Sequence, residues 1–115
     1  MTIRIEKTVY DKPEPTDGVR ILVMRLWPRG VSKDKVDLWI KEVGTEKELI
    51  KLWKAGKLTW KEYSKRYVAS LKGKESILED LAARSKRQTI TLLCVEKEAG
   101  RCHRSLLKQQ IEKHL

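Results

Sequence analysis

The sequence predicts an α/β fold with a small, mostly parallel β-sheet flanked by helices, a Rossmann-like single domain. Residues 19–24 and 89–95 are almost continuously apolar and rich in β-branched side chains, as strands covered on both faces of a parallel sheet are. Segments with helical periodicity lie between and after these two stretches, and strands that alternate with helices indicate parallel crossovers. At 115 residues the chain is long enough for one core and too short for two, so we expect one domain over residues 1–115.

The N-terminal part predicts two strands separated by a loop. Residues 2–10 carry Ile3, Ile5 and Val9 among polar residues, the pattern of a half-buried or edge strand. Residues 11–18 contain two Pro, two Asp and a Gly, which indicates a loop. The strand that follows is expected to end before Pro28, and Gly30 permits a positive φ angle just after it.

Four helices are expected between the two apolar strands, and one after them. The first is predicted near residues 36–43, because its apolar residues recur at i, i+3, i+4 and i+7. These residues are Val36, Trp39, Ile40 and Val43. Capping-box pairs place the next two helix starts: Thr45 with Glu48, and Thr59 with Glu62. Further helices are predicted over residues 75–86 and from residue 102 to His114.

The charge balance favours anionic partners. Lys and Arg number 26 against 16 Asp and Glu, a net charge of +10 that would concentrate nucleic acid or phosphorylated small molecules near the surface. The alternative is an ordinary solvated surface, since the positive charges are interleaved with Glu throughout. Charged residues make up 37% of the chain and Asn is absent, a composition typical of thermophiles.

Cysteine content and hydropathy predict a cytoplasmic protein. The chain has two Cys and no apolar N-terminal signal region, which favours a reducing compartment. No stretch approaches the roughly 20 apolar residues that a membrane span needs, so we expect no membrane association.

The candidate site lies at the carboxyl ends of the two apolar strands, where parallel sheets bind ligands. If these strands are neighbours, the loops at residues 25–30 and 96–104 share a crevice. Arginine offers a planar fork that fits carboxylate or phosphate, so four arginines in these loops predict an anion pocket. They are Arg25, Arg29, Arg101 and Arg104. Alternatively, these arginines pair with surface carboxylates such as Glu98 or Asp37.

Cys102 is the candidate nucleophile. It precedes a helix and stands between Arg101 and His103, and a helix N-terminus and neighbouring cations lower the pKa of a thiol. Neighbouring residues on a helix point about 100° apart, so the base is expected to be His114 or a residue from another segment. The alternative is that Cys102 is an inert, packed side chain.

Other residues of the two loops have weaker signals. Trp27 lines the crevice or fills the core, Gly30 lies in the first loop, and Glu96 lies in the second. Cys94 ends a buried strand and is expected in the core. Six residues separate Cys94 from Arg101, where phosphatase phosphate loops have five, so that chemistry is disfavoured. The spacing of the Cys and His residues matches no known zinc knuckle, and we predict no metal and no cofactor.

Residues 20–33 resemble the YeaO-like branch of the domain-of-unknown-function 488 family, above all in Arg-Leu-Trp-Pro-Arg-Gly at residues 25–30. The resemblance continues through residues 37–42, 60–71 and 89–95. Cys-His-Arg at residues 102–104 is similar to a motif of the wider family, in which an acidic residue like Glu96 precedes it. The resemblance implies a compact α/β fold. The family commonly has Asp where this chain has Met24, which disfavours a role that needs a carboxylate at this position.

These observations predict a protein that binds a small phosphate- or nucleotide-like anion between the two loops. Arg25, Arg29 and Arg104 would hold the anion, and Trp27 would line the pocket. If the protein catalyses a reaction, Cys102 with His103 would be the reactive centre. Two alternatives stay open at this point: a basic nucleic-acid-binding protein, and a structural or partner-binding domain without catalysis.

Overall fold

The structure, a computed structural model, describes residues 2–115 and consists of a small sheet and four α-helices. The strands are β1 (Ile3–Arg4), β2 (Val19–Leu22), β3 (Leu38–Trp39) and β4 (Ile90–Leu93). The helices are α1 (Lys47–Lys54), α2 (Trp60–Ser70), α3 (Glu75–Arg87) and α4 (His103–Glu112). Short 3₁₀ turns lie at Pro15–Asp17, Lys33–Lys35, Lys41–Val43 and Ala99–Arg101.

The four strands form one parallel sheet in the order β1-β4-β2-β3, which confirms the predicted fold class. The two strongly apolar strands are the central pair, with Val19 opposite Ile90 and Leu22 opposite Leu93. Because β2 and β4 are parallel neighbours in register, their carboxyl ends meet at the same edge of the sheet. This pairing brings together the two loops that carry the candidate site.

The core lies on both faces of the sheet, and side chains alternate between the two along each strand. Ile21 and Leu92 belong to the larger cluster, to which all four helices contribute. Leu22 and Leu93 belong to a smaller cluster with Val9 and with residues of the loop after β2. The helices therefore cover the first face, while loops cover the second.

The predicted helix near residues 36–43 is wrong, because this segment contains the edge strand β3. Its backbone pairs with β2: the Asp37 amide donates to the Arg20 carbonyl at 2.8 Å, and the Ile40 amide donates to the Leu22 carbonyl at 2.9 Å. Half-buried Leu38 alternates with exposed Asp37 and Trp39, the period of a strand. The apolar residues of this segment fit the helical period as well as the strand period. The segment forms a strand because the edge of β2 offers backbone hydrogen bonds.

Of the two predicted capping boxes, the second is confirmed and the first is wrong. The Thr59 hydroxyl accepts from the Glu62 amide at 3.1 Å, and the Glu62 carboxylate accepts from the Thr59 amide at 2.9 Å. Helix α1 instead begins after Glu46, and its cap has no side-chain hydrogen bond. The Thr45 hydroxyl is bound to the Tyr63 hydroxyl at 2.8 Å, a tertiary contact that replaces the local one.

No helix within residues 2–115 is both long and apolar enough to cross a membrane.

Candidate functional site

A cavity of about 420 Å³ opens at the carboxyl edge of the sheet, and both predicted loops line it. The loop after β2 contributes Met24, Arg25 and Leu26, and the segment after β4 contributes Cys94, Val95, Glu96, Arg101, Cys102 and His103. The rest of the wall comes from Thr45, Lys47, Ile50, Lys51, Trp53, Lys54 and Tyr63. The two loops thus lie side by side, and helices α1 and α2 complete the enclosure.

Cys102 and His103 are in direct contact although they are neighbours in sequence. The Cys102 Sγ atom lies 3.5 Å from His103 Nδ1. Cys102 is the N-cap of α4, with extended angles of φ −132° and ψ 152°, so the 100° separation of successive helical residues does not apply. His114, one of the bases considered from the sequence, lies eleven positions beyond His103, about 16 Å along the helix axis, and so does not contact the thiol.

A backbone hydrogen bond fixes the tautomer of the His103 ring. Its Nε2 atom lies 2.6 Å from the Val23 carbonyl oxygen, which can only accept, so Nε2 carries a proton. In the neutral ring the lone pair of Nδ1 therefore faces the Cys102 thiol. The ring also packs edge-on against Tyr67, with centroids 5.4 Å apart. His103 is thus oriented to take the proton of Cys102.

Cys94 is part of this cluster and not simply a core residue. The two sulfur atoms and a His103 ring nitrogen all lie within 4.8 Å of one another. A hydrogen bond from Cys94 lowers the pKa of Cys102, and contacts with His103 and the Arg104 amide add to this effect against the opposing effect of burial. The same thiol pairing and burial raise the pKa of Cys94. The pair therefore favours a thiolate at Cys102 and a thiol at Cys94.

Arg104 is buried and bound to the protein backbone. Its side chain is fully inaccessible, and the guanidinium donates to the carbonyl oxygens of Lys7 and Glu96. Its Nε atom is buried without a partner, and within residues 2–115 the guanidinium forms no ion pair. Arg104 does not line the cavity, so it is unsuited to the predicted role of holding a ligand. It ties the loop after β4 to the segment after β1.

Two of the other predicted arginines line the cavity, and one does not. Arg25 and Arg101 belong to its wall, and Arg25 Nε donates to the Gly44 carbonyl at 3.1 Å. Arg29 is exposed and lies outside the lining. Three lysines of α1 that the sequence analysis missed join the wall: Lys47, Lys51 and Lys54. Their spacing on one helix was visible in the sequence, but the direction of that helix was not.

Trp27 and Gly30 also lie outside the cavity lining. The Trp27 indole donates to the Val31 carbonyl at 2.9 Å and packs edge-on against Trp39, with centroids 5.4 Å apart. Its partly buried side chain packs against the smaller core cluster. Gly30 adopts the predicted positive φ, at 75°. These two residues shape the loop after β2 and do not face the cavity.

Comparisons with known proteins support the family that the sequence pattern indicates. The sequence profile described as the active DUF488-N3 subclade matches residues 3–115. The chain belongs to this family. The resemblance to the YeaO-like branch is thereby confirmed.

Named relatives of this DUF488-N3 chain span most of its length. It is 38% identical over 103 residues to the uncharacterized protein YeaO of Escherichia coli strain K12, covering 88% of this chain and 90% of the relative. It is 32% identical over 103 residues to the uncharacterized protein Rv3073c of Mycobacterium tuberculosis, covering 88% and 86%. No solved structure matched significantly.

Met24, where the family resemblance led us to expect Asp, lies in the cavity wall, as do Cys94, Cys102 and His103. These three side chains provide potential metal-ligating atoms, one fewer than the four protein ligands of a structural zinc site. A carboxylate at position 24 would add an oxygen donor to the wall, whereas the thioether adds apolar surface. In this chain, position 24 therefore adds apolar surface to a wall that also holds two thiols and an imidazole.

Proposed function

We propose that this protein binds a small anionic molecule in the cavity and that Cys102 acts on it as a nucleophile, with His103 as the base. The observation that carries the proposal is the 3.5 Å contact between Cys102 Sγ and His103 Nδ1. The hydrogen bond from His103 Nε2 to the Val23 carbonyl supports it, since it aims the basic nitrogen at the thiol. The arrangement of these three groups at one cavity supports the roles of nucleophile, base and orienting group.

The charges around the cavity support an anionic ligand. Five cationic side chains contribute to the wall: Arg25, Lys47, Lys51, Lys54 and Arg101. The single carboxylate in the lining is that of Glu96, which lies 3.7 Å from the Lys54 ammonium group. The remaining wall is mostly apolar, with Ile50 and Trp53 among its members. The ligand that fits best carries an anionic group at the rim and an apolar body within.

The proposed chemistry is a displacement at an electrophilic centre of the ligand. The Cys102 proton moves to His103 Nδ1, and the thiolate then forms a bond to the electrophilic atom. The bond to the leaving group breaks, and the imidazolium returns the proton to the departing atom. The Cys102 thiolate is stabilised beforehand by the Cys94 thiol and the Arg104 amide at the start of α4. A water molecule or second substrate would then release the product.

Alkylation with a charged and a neutral reagent tests both parts of the proposal. Each reagent is applied at about pH 6, where an ordinary thiol is only about 0.3% thiolate, and Cys102 is identified by peptide mass spectrometry. We expect Cys102 to react with iodoacetamide faster than glutathione does. We also expect the ratio of the iodoacetate rate to the iodoacetamide rate to be on the order of tenfold higher for Cys102 than for glutathione, because the cations of the cavity attract the negatively charged reagent.

Matched variants separate the thiol from the cation rim. His103→Gln should shift the pH dependence of alkylation towards that of an ordinary thiol. Lys51→Met should reduce the preference for iodoacetate, whereas Lys65→Met, on exposed α2 surface outside the cavity lining, should leave it unchanged. If alkylation of Cys102 has the same pH dependence as alkylation of glutathione, the proposal that Cys102 is an activated nucleophile is contradicted. If Cys102 of the wild type shows the same iodoacetate-to-iodoacetamide rate ratio as glutathione, the proposal that the cavity binds anions is contradicted.

A further inference from the structure

We propose that Cys94 and Cys102 form a reversible disulfide when a peroxide oxidises the protein, and that this bond switches the site off. The proposal rests on the proposed function to the extent that it needs Cys102 as the reactive thiol. It assigns Cys94 the role of resolving thiol, the thiol that attacks oxidised Cys102. The proposed nucleophilic reaction of Cys102 does not require this role.

The placement of the two sulfur atoms carries this inference. They lie within 4.8 Å of each other, both border the cavity, and both are free thiols. A disulfide needs a sulfur separation of about 2.05 Å. A change of side-chain rotamer moves a cysteine sulfur by up to about 3 Å, so the missing distance is within reach without unfolding the sheet.

The backbone is hydrogen-bonded at both cysteines, and at Cys102 the amide donates to the Ala99 carbonyl at 3.3 Å and the carbonyl accepts from the Ser105 amide at 3.1 Å. The Cys94 carbonyl accepts from the Val9 amide at 3.0 Å, which holds the end of β4 in place. Cys102 is at the N-cap of α4, and its side chain makes no capping hydrogen bond. The 3₁₀ turn Ala99–Arg101 immediately precedes it and is largely exposed. Rotation of the Cys102 side chain, which no capping hydrogen bond restrains, can therefore bring the sulfur atoms together while β4 and α4 stay folded.

Each step of the oxidation balances with a peroxide as the oxidant. The Cys102 thiolate attacks one peroxide oxygen, the O–O bond breaks, and the other oxygen departs and takes up a proton as water or an alcohol. The product is a Cys102 sulfenic acid. The Cys94 sulfur then attacks the Cys102 sulfur, the S–O bond breaks, and the departing hydroxide takes the Cys94 proton to leave as water. Two thiols are oxidised by two electrons, and a dithiol reductant restores them.

The disulfide would silence the site in two ways. It removes the Cys102 thiolate, and it draws Sγ away from His103 Nδ1, 3.5 Å distant in the reduced protein. The hydrogen bond between His103 Nε2 and the Val23 carbonyl does not involve the sulfur, so it remains in the oxidised protein. Reduction therefore re-forms the pair on a base that is already oriented.

Intact-mass spectrometry of the full chain tests the proposal. Samples with and without chelator pretreatment are exposed to hydrogen peroxide, each in the presence and absence of dimedone, which traps sulfenic acids. We expect the wild type to lose the mass of two hydrogen atoms, with little dimedone adduct, and to recover fully with dithiothreitol. Cys94→Ser should instead accumulate a dimedone adduct at Cys102, and Cys94→Ala serves as a second variant without a hydroxyl. Cys102→Ser should show neither product.

The outcomes separate this inference from the proposed function. A wild type that accumulates as much dimedone adduct as Cys94→Ser overturns the disulfide and leaves Cys102 as a nucleophile. A Cys102 that gives neither product and also alkylates like an ordinary thiol overturns both. Thiols that are protected until the chelator is added reveal a bound metal and overturn the switch. Disulfide formation in the wild type, followed by loss of Cys102 alkylation, supports it.

Discussion

Replacing Arg104 by Met tests whether this residue holds the structure together or binds a ligand. The guanidinium is fully buried and donates to the carbonyl oxygens of Lys7 and Glu96. Hydrogen bonds from a charged donor contribute about 1.5–3 kcal/mol each, and unpaired carbonyls left behind add to the loss. Removing the charge also removes the cost of burying a cation, which offsets part of this loss. We therefore expect the free energy of unfolding to fall by about 3 kcal/mol. For a domain of this size that corresponds to a melting temperature about 12 °C lower.

The assay is urea unfolding of Arg104→Met followed by circular dichroism, with Arg29→Met as the matched control. Arg29 is exposed, so its variant should lie within about 0.5 kcal/mol of the wild type. The Glu96 loop should also loosen in Arg104→Met, because one of its tethers is gone, and iodoacetate preference should fall. A variant as stable as the wild type would refute the reasoning, since it would mean that the buried cation costs as much as its hydrogen bonds contribute.

Three further substitutions test the scaffold around the site. Asp17 is buried, and burial raises its pKa, but hydrogen bonds from Lys7, the Glu14 amide and Arg20 hold the pKa below its ordinary value. The ionised carboxylate therefore stabilises the folded state. This contribution is present above about pH 4 and is lost as the pH falls through the lowered pKa. Asp17→Asn should therefore cost about 3 kcal/mol at neutral pH and flatten the acid limb of stability measured by urea unfolding across pH. Gly44→Ala would place a Cβ atom 2.4 Å from the Arg25 amide nitrogen, so it should displace Arg25 and reduce the iodoacetate preference. Gly30→Ala meets no described atom within 4 Å and should cost only the about 1 kcal/mol of its positive φ, with thiol alkylation unchanged.

Local sequence patterns were enough to predict the elements that organise the fold. The apolar runs of β2 and β4 indicated buried parallel strands, and the two strands are the central pair of the sheet. Thr59 and Glu62 set the start of α2 through contacts three residues apart. The placement of Cys102 and His103 at the start of α4 follows in the same way from the loop that precedes that helix. Such features depend on residues close in sequence, so the sequence alone determines them.

Features that depend on distant residues were decided only by the tertiary structure. Residues 38–39 form a strand because the edge of β2 offers hydrogen bonds, and Thr45 leaves its capping position because Tyr63 lies near. The direction of α1 turns three lysines towards the cavity, and the Val23 carbonyl selects the tautomer of His103. Arg104 is internal because the backbone carbonyls of two separate segments surround it. A pattern along the chain specifies which side chains are available, whereas packing decides which partners they meet.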